Sequence, residues 1–142
     1  MPSRARSALA GAVAATVWGL AEPLDQKLFR SDQSDIALLG KAFTRGPAWR
    51  PLGFALHAIN GAAFGLAYHA VRKRVPMEPR RLAFAMAMAE HLALWPLGYF
   101  VDRFHPALGE RGVPPLLGNG RAFGQETVRH ALFGVALGRL TP

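Results

Sequence analysis

The stretch AMAMAEHLALWPLG, residues 85 to 98, decides how this chain folds, because it is almost wholly apolar and yet holds an ionisable pair, Glu90 and His91, at its centre. Within five residues on either side, every neighbour of that pair is apolar. A helix over this stretch therefore has no polar face to turn toward water. The pair indicates a helix that lies in apolar surroundings and buries its ionisable groups against other helices.

Three other segments are apolar over a comparable length. Two of them, residues 7–21 and 51–71, carry no Asp, Glu, Lys or Arg, and residues 122–138 carry only Glu126 and Arg129. Because about 20 residues are needed to cross ~30 Å of hydrocarbon, each segment with its flanks is long enough to span a bilayer. The predicted transmembrane spans are residues 7–29, 50–72, 80–102 and 121–140.

The predicted fold class is all-α: a polytopic membrane protein in which residues 1–142 form a single domain with four transmembrane helices in an antiparallel bundle. Residues 35–44 predict a further short helix, lying on the membrane interface between the first two spans. A soluble, Ala-rich helical bundle is the alternative, but residues 51–71 argue against it because they leave no stripe that would face water. Small residues, which let helix backbones approach closely in lipid, recur in the first span at Gly11, Ala15 and Gly19.

The distribution of basic residues along the chain predicts both a membrane location and an orientation in the membrane. Although the formal net charge is +8, the basic residues form clusters between apolar segments, as in the flanks of membrane spans, and no stripe that would contact nucleic acid. The densest cluster lies between residues 72 and 81, on the side of both chain ends, while most acidic residues fall on the other side. The positive-inside rule therefore predicts a multi-pass protein of the bacterial inner membrane with both termini in the cytoplasm.

Every predicted span contains polar or ionisable residues, each of which costs about 2.5–3.5 kcal/mol at mid-membrane unless it finds a partner. At a rise of about 1.5 Å per residue, all of them fall between the middle of the bilayer and its outer surface. Such residues normally face the bundle interior, so we expect one shared polar cluster. The core members are Glu22, His57, His91, Glu126 and His130, and the supporting polar residues are Asp25, Asn60, Glu90 and Arg129.

Spacing indicates which members face inward. Glu126 and His130 are four residues apart, so they share one helix face. Adjacent residues point about 100° apart on a helix, so only one of Glu90 and His91 can face the bundle centre. We predict that His91 faces inward and that Glu90 turns toward a neighbouring helix or Arg129.

Three functions remain open for this cluster. In the first, the protein is a small membrane protein without catalysis, a homo-oligomer or a subunit of a membrane partner, and the cluster is structural or metal-binding. In the second, it is a metal-dependent membrane enzyme, since carboxylates and imidazoles without cysteine suit zinc, iron or manganese. In the third, it is a proton-linked or small-solute conduit.

The predicted metal ligands are Glu22, His57, His91, Glu126 and His130. No catalytic residue is assigned, enzyme activity stays undecided, and the expected partner besides protein is the lipid bilayer, not nucleic acid.

Several stretches are similar to one family. GAVAATVWGLAEPL (11–24) resembles the first span of the YagU-like family of uncharacterised bacterial inner-membrane proteins, EHLALWPLG (90–98) resembles its third, and ETVRHALFG (126–134) its last. The second span is similar in outline, with His57 ahead of an Asn and small residues. The likeness departs in the loops and at Glu90, which has no counterpart in that pattern. It implies a four-helix membrane protein with buried His and Glu, and it implies no particular reaction.

Overall fold

The computed structural model describes residues 2–142, which form helices and no strands. This confirms the all-α prediction, and the predicted segments 7–29, 50–72 and 121–140 each coincide with a helix. A short helix also begins at residue 35, where one was predicted. The helices are α1 (Arg4–Phe29), α2 (Asp35–Lys41), α3 (Trp49–Arg72), α4 (Pro79–Leu94), α5 (Gly98–Phe104) and α6 (Gly120–Leu140).

The third predicted span, residues 80–102, is interrupted and not one regular helix. A single 3₁₀ turn at Trp95–Leu97 separates α4 from α5. Pro96 lies inside this turn, and proline lacks the backbone N–H that an α-helix needs. The chain nevertheless stays helical from Pro79 to Phe104.

The long helices pack antiparallel to their neighbours. Helix α1 lies against both α3 and α6, and α4 packs along α6, whereas α3 and α4 meet only sparsely. We call the end that holds both chain termini the terminal end, and the opposite end, where α2 and α5 lie, the α2 end. Helix α2 packs on the first part of α3 and so covers the α2 end of the α1–α3 pair.

Small residues set the close approach of α1 to α3, as predicted from their spacing. A Cβ atom on Gly11 would overlap the carbonyl oxygen of Gly61, and one on Gly65 would overlap the carbonyl oxygen of Ser7. Glycines also set the contact of α4 with α6, where a Cβ on Gly134 would lie 2.8 Å from the Cα of Phe84. Backbones therefore touch at both interfaces, as is common between helices in lipid.

Apolar side chains cover much of the outside of the molecule. On α1 they form a stripe along the whole helix, with exposed fractions between 42% for Val13 and 74% for Leu28. By length and apolar composition alone, one helix of residues 2–142 qualifies as a membrane span, and that helix is α1. Buried helices of soluble proteins and signal sequences meet the same criterion. Helix α6 fails it because Arg121, Glu126, Arg129 and Arg139 interrupt its 21 residues.

Candidate functional site

Arg129 lies at the centre of the predicted cluster, with only 2% of its surface exposed. Its guanidinium group binds the Asp25 carboxylate through two parallel hydrogen bonds, Nε to Oδ2 at 2.7 Å and Nη2 to Oδ1 at 2.8 Å. This fork geometry is the strongest way for arginine to hold a carboxylate. It ties α6 to the second half of α1, and Asp25 is as deeply buried as the neighbouring Glu22.

Three further carboxylates approach the Nη1 atom of Arg129. Glu126 accepts a hydrogen bond from it at 2.8 Å, Asp35 lies at 3.2 Å and Glu22 at 3.6 Å. If all these groups are ionised, four carboxylates against one guanidinium leave a formal charge of −3. Such an excess attracts protons or other cations to this part of the molecule.

Two glutamines complete the surroundings of Arg129. The side-chain oxygen of Gln33 accepts a hydrogen bond from Nη1 at 2.5 Å, and its backbone carbonyl accepts one from Nη2 at 3.1 Å. Gln125 donates from Nε2 to Asp25 at 2.6 Å. Because every donor of the guanidinium group has an acceptor, Arg129 is fully paired and holds four segments of the chain together.

Glu22 fastens α2 to the bundle. Its Oε2 atom accepts a hydrogen bond from the Ser34 hydroxyl at 2.6 Å, and its Oε1 atom accepts one from the backbone N–H of Asp35 at 2.7 Å. Asp35 is the first residue of α2, so the Glu22 carboxylate satisfies free N–H groups at a helix start. Proline at position 23 follows Glu22 without ending α1.

Asp35 connects α2 to the cluster and gives it a pH dependence. Burial alone would raise the pKa of Asp35, but the positive charge of Arg129, with smaller effects of His57, the Gln33 side chain and His130, holds that pKa below its ordinary value of 3.8. A carboxylate with a lowered pKa in the folded state stabilises the fold above its ordinary pKa, and this stabilisation is lost as the pH falls below it.

We therefore expect Asp35→Asn to remove part of the acid sensitivity of the protein. Wild-type stability should fall as the pH drops below about 3.8, and the fall should be smaller for Asp35→Asn because one titrating group is gone. Thermal unfolding in detergent between pH 3 and pH 7, followed by tryptophan fluorescence, measures the difference. Asp32→Asn, on the exposed loop before α2, is the control, and an equal effect of both variants would contradict this assignment.

A cavity adjoins the Arg129 cluster on the side of α3 and α4. It consists of a pocket of about 60 Å³ and a larger one of about 330 Å³ toward the α2 end. The larger pocket also has apolar walls, which include Leu94 and Val101. We call the whole the polar cavity, and the side chains common to both pockets are Asp35, His57, Asn60, Glu90 and His130.

His130 and Glu90 face each other across this cavity. The Nδ1 atom of His130 lies 2.8 Å from the backbone carbonyl of Glu126. Because a carbonyl oxygen only accepts, Nδ1 carries the proton, and Nε2 of the neutral ring is a proton acceptor. That Nε2 atom lies 3.8 Å from Oε2 of Glu90. This distance is just beyond that of a hydrogen bond, so a bridging water or a small movement of either side chain would let the two groups share one proton.

His91 lies beside this pair. It is buried as predicted, its Nε2 atom lies 2.9 Å from the Thr127 hydroxyl, and its ring is 4.9 Å from the His130 ring. Its neighbour Glu90 lines both pockets of the polar cavity and meets His130 of α6, not Arg129, so Glu90 as well as His91 is turned into the bundle.

Two residues that line the smaller pocket, Trp18 and His57, each hold a buried ring nitrogen without a hydrogen-bond partner within residues 2–142. The pocket is also lined by the carboxylates of Asp35 and Glu90 and the amide of Asn60. At about 60 Å³ and with these polar side chains, it has room and partners for water.

The five predicted metal ligands are distributed over different partners. Glu22 and Glu126 surround Arg129, His57 and His130 line the polar cavity, and His91 pairs with Thr127. Within residues 2–142, no group of three or more His, Asp or Glu is arranged to hold a metal ion. The cation at the centre of the carboxylates is the guanidinium group of Arg129.

The sequence-based set missed several polar members of the cluster: Trp18, Gln33, Ser34, Asp35, Gln125 and Thr127. Gln125 stands next to Glu126 inside a predicted span, which was a usable signal for a buried amide. Gln33 precedes α2, and Asp35 is its first residue. The sequence predicts this helix on the membrane interface, and no periodicity indicates that it folds onto the bundle.

Comparison with known proteins does not assign this site. No family model matches it, and no curated protein or solved structure is significantly similar to it. The resemblance to YagU-like proteins therefore stays a prediction, and the geometry of the cluster is the basis for a function.

Proposed function

We propose that this chain is a multi-pass protein of the bacterial inner membrane, spanning it with α1, α3, the α4–α5 path and α6. The support is an inverted distribution of polarity. Arg129, Glu22, Asp25 and Glu126 are among its most buried side chains, whereas large apolar side chains stand outside along α1. Water would favour the reverse arrangement, and an exposed apolar surface of this extent is typical of contact with lipid or a partner.

The orientation can be tested with single cysteines, since the natural chain has none. The exposed positions Met77 and Leu117 lie in loops at opposite ends of the bundle. In spheroplasts, a maleimide that cannot cross the membrane is expected to label Leu117→Cys at least tenfold faster than Met77→Cys. Both should react equally after the membrane is permeabilised. Equal labelling in intact spheroplasts, or loss of the protein on alkaline washing of membranes, would contradict the proposed topology.

Within that membrane protein, we infer that the polar cavity carries out proton-linked passage. One observation carries this function: the Glu90–His130 pair faces a cavity that is also lined by Asp35, His57 and Asn60, whose side chains can bind water. Intramembrane carboxylates and imidazoles that line a wet cavity are the usual parts of a proton relay. Where the carboxylates around Arg129 are ionised, they add a field that favours positive charge.

The cavity is closed toward the terminal end. Phe64 and Phe133 line its floor and contact each other edge to face, with ring centres 5.2 Å apart. Both also pack on the apolar core at that end, which includes Tyr68 and Leu137. In this proposal a proton enters from the α2 end and reaches the Glu90–His130 pair. Its passage to the terminal end requires the rings of Phe64 and Phe133 to separate.

The test is proton flux into vesicles. Purified protein in liposomes that contain a pH-sensitive dye should acidify the interior faster than protein-free liposomes when the outside is made acidic. We expect Glu90→Gln to lower that rate by tenfold or more, because an amide cannot hold the shared proton. Glu110→Gln, which weakens only the salt bridges with Lys41 and Arg45 outside the polar cavity, is the matched control and should leave the rate unchanged.

The outcomes separate the open functions. A wild-type rate equal to that of protein-free liposomes would contradict proton passage and favour a cluster that only joins helices. An equal loss in Glu90→Gln and Glu110→Gln would show that the polar cavity is not the path.

A further inference from the structure

The terminal end of the bundle concentrates eight basic side chains against a single acidic one. None of its basic side chains forms a salt bridge within residues 2–142. The one acidic side chain there is Glu78. Its carboxylate accepts hydrogen bonds from the backbone N–H groups of Arg80 and Arg81, at 3.0 and 2.9 Å, and so caps α4. The basic residues are Arg4, Arg6, Arg72, Lys73, Arg74, Arg80, Arg81 and Arg139.

Three of these side chains surround one pocket of about 370 Å³. The pocket lies where the start of α1 meets the end of α3, and its lining consists of Arg4, Leu66, His69, Ala70, Lys73 and Arg74. Unlike the polar cavity, it has no acidic residue in its wall. It therefore combines cations at the end of α3 with apolar residues one to two turns earlier on the same helix face.

His69 adds a polar side chain to this pocket. Only 6% of its surface is exposed, and its Nδ1 atom has no hydrogen-bond partner within residues 2–142. A buried imidazole nitrogen without a partner beside three cations is an unusual combination, because the pocket wall holds no acidic side chain and no group within residues 2–142 pairs with that nitrogen. An anion with several acceptor oxygens would compensate both.

We infer that this pocket binds a phosphate group, and that anionic phospholipid is the source of it. Arginine and lysine are the side chains that bind phosphate oxygens, and basic pockets between helices on the cytoplasmic side take anionic lipid headgroups. Leu66 and Ala70 lie in the wall, where the glycerol and first acyl carbons of a lipid would follow the phosphate. This inference rests on the proposed membrane placement but not on proton passage through the polar cavity.

The experiment uses the purified full-length chain in a neutral detergent. Thermal unfolding is followed by tryptophan fluorescence during titration with phosphatidylglycerol, phosphatidylcholine or inorganic phosphate. We expect phosphatidylglycerol to raise the Tm in a saturable way and phosphatidylcholine to leave it unchanged. The variant Arg4→Ala/Lys73→Ala/Arg74→Ala should require at least tenfold more phosphatidylglycerol for the same rise.

The matched control also removes three positive charges, but at the α2 end of the bundle. Arg50→Ala/Arg103→Ala/Arg111→Ala should respond to phosphatidylglycerol as the wild type does, because those exposed arginines lie at the α2 end. If the first triple variant does not fold, the double variant Lys73→Ala/Arg74→Ala gives the same comparison, since both side chains are exposed.

Each outcome decides one point. Equal loss in the two triple variants, or no rise with phosphatidylglycerol, would overturn the site, because the attraction would then be diffuse or absent. A rise with inorganic phosphate as large as that with phosphatidylglycerol would support the phosphate site and assign it to a soluble phosphate. Proton flux through Glu90 is measured separately, so failure of one proposal leaves the other intact.

Discussion

Replacing Arg129 with methionine is expected to destabilise the protein more than any other single change in the cluster. Methionine has a similar length but no charge, so Glu22, Asp25, Asp35 and Glu126 lose the guanidinium group that holds them. Removing one partner of a buried ion pair costs roughly 3–5 kcal/mol, because the charge left behind is uncompensated. Here four carboxylates are left, and we expect a loss at the upper end of that range or failure to fold.

Two companion variants separate charge from geometry. Arg129→Lys keeps the positive charge but cannot form the two parallel bonds to Asp25, so its stability should lie between those of the wild type and Arg129→Met. Arg121→Met removes an exposed arginine from the same helix and should change stability by less than about 0.5 kcal/mol.

Thermal unfolding in detergent at pH 5 and pH 8 provides the measurement. The defect of Arg129→Met should be larger at pH 8, because the carboxylates repel each other most when all are ionised. Stability of Arg129→Met equal to that of Arg121→Met would contradict the central role assigned to Arg129.

The sequence was sufficient to predict the helices and the existence of a polar cluster. Apolar segments and four-residue glycine spacing are local signals, and they located α1, α3 and α6 to within a few residues. Pro96 is itself a signal for a break, but Pro23 leaves α1 uninterrupted. Proline alone therefore does not show which of the two helices is divided.

The organisation of the cluster was less predictable. Glu22 and Glu126 were correctly expected to be buried, but nothing in one sequence shows that their centre is Arg129 rather than a metal ion. The reason is that the decisive contacts bring together residues about a hundred positions apart, such as Asp25 and Arg129. The loop that carries Gln33 reaches them only because α2 packs on α3, and that packing depends on Gly40 and Gly53 lying against backbone.

Replacing Gly61 with leucine is the second change for which we expect a large effect. The carbonyl oxygen of Gly11 lies where a Cβ atom on Gly61 would stand, and the Ala15 Cβ lies nearly as close. Backbone atoms cannot rotate away as a long side chain can, so α1 and α3 would have to separate along their contact. Overpacking a well-fitted interior costs about 1–3 kcal/mol, and a clash with backbone exceeds that range.

The consequence reaches the polar cluster, because α1 carries both Glu22 and Asp25. If α1 moves away from α3, it also moves relative to α6, and the two parallel bonds of Asp25 to Arg129 lengthen. We therefore expect Gly61→Leu to lower the yield of folded protein at least fivefold and to lose proton flux as well. Ala63→Leu is the control, since Ala63 is exposed on the same helix and its enlargement meets no neighbour helix. Size-exclusion chromatography of the two variants measures the folded fraction, and equal yields would show that α1 and α3 do not approach as closely as their glycines require.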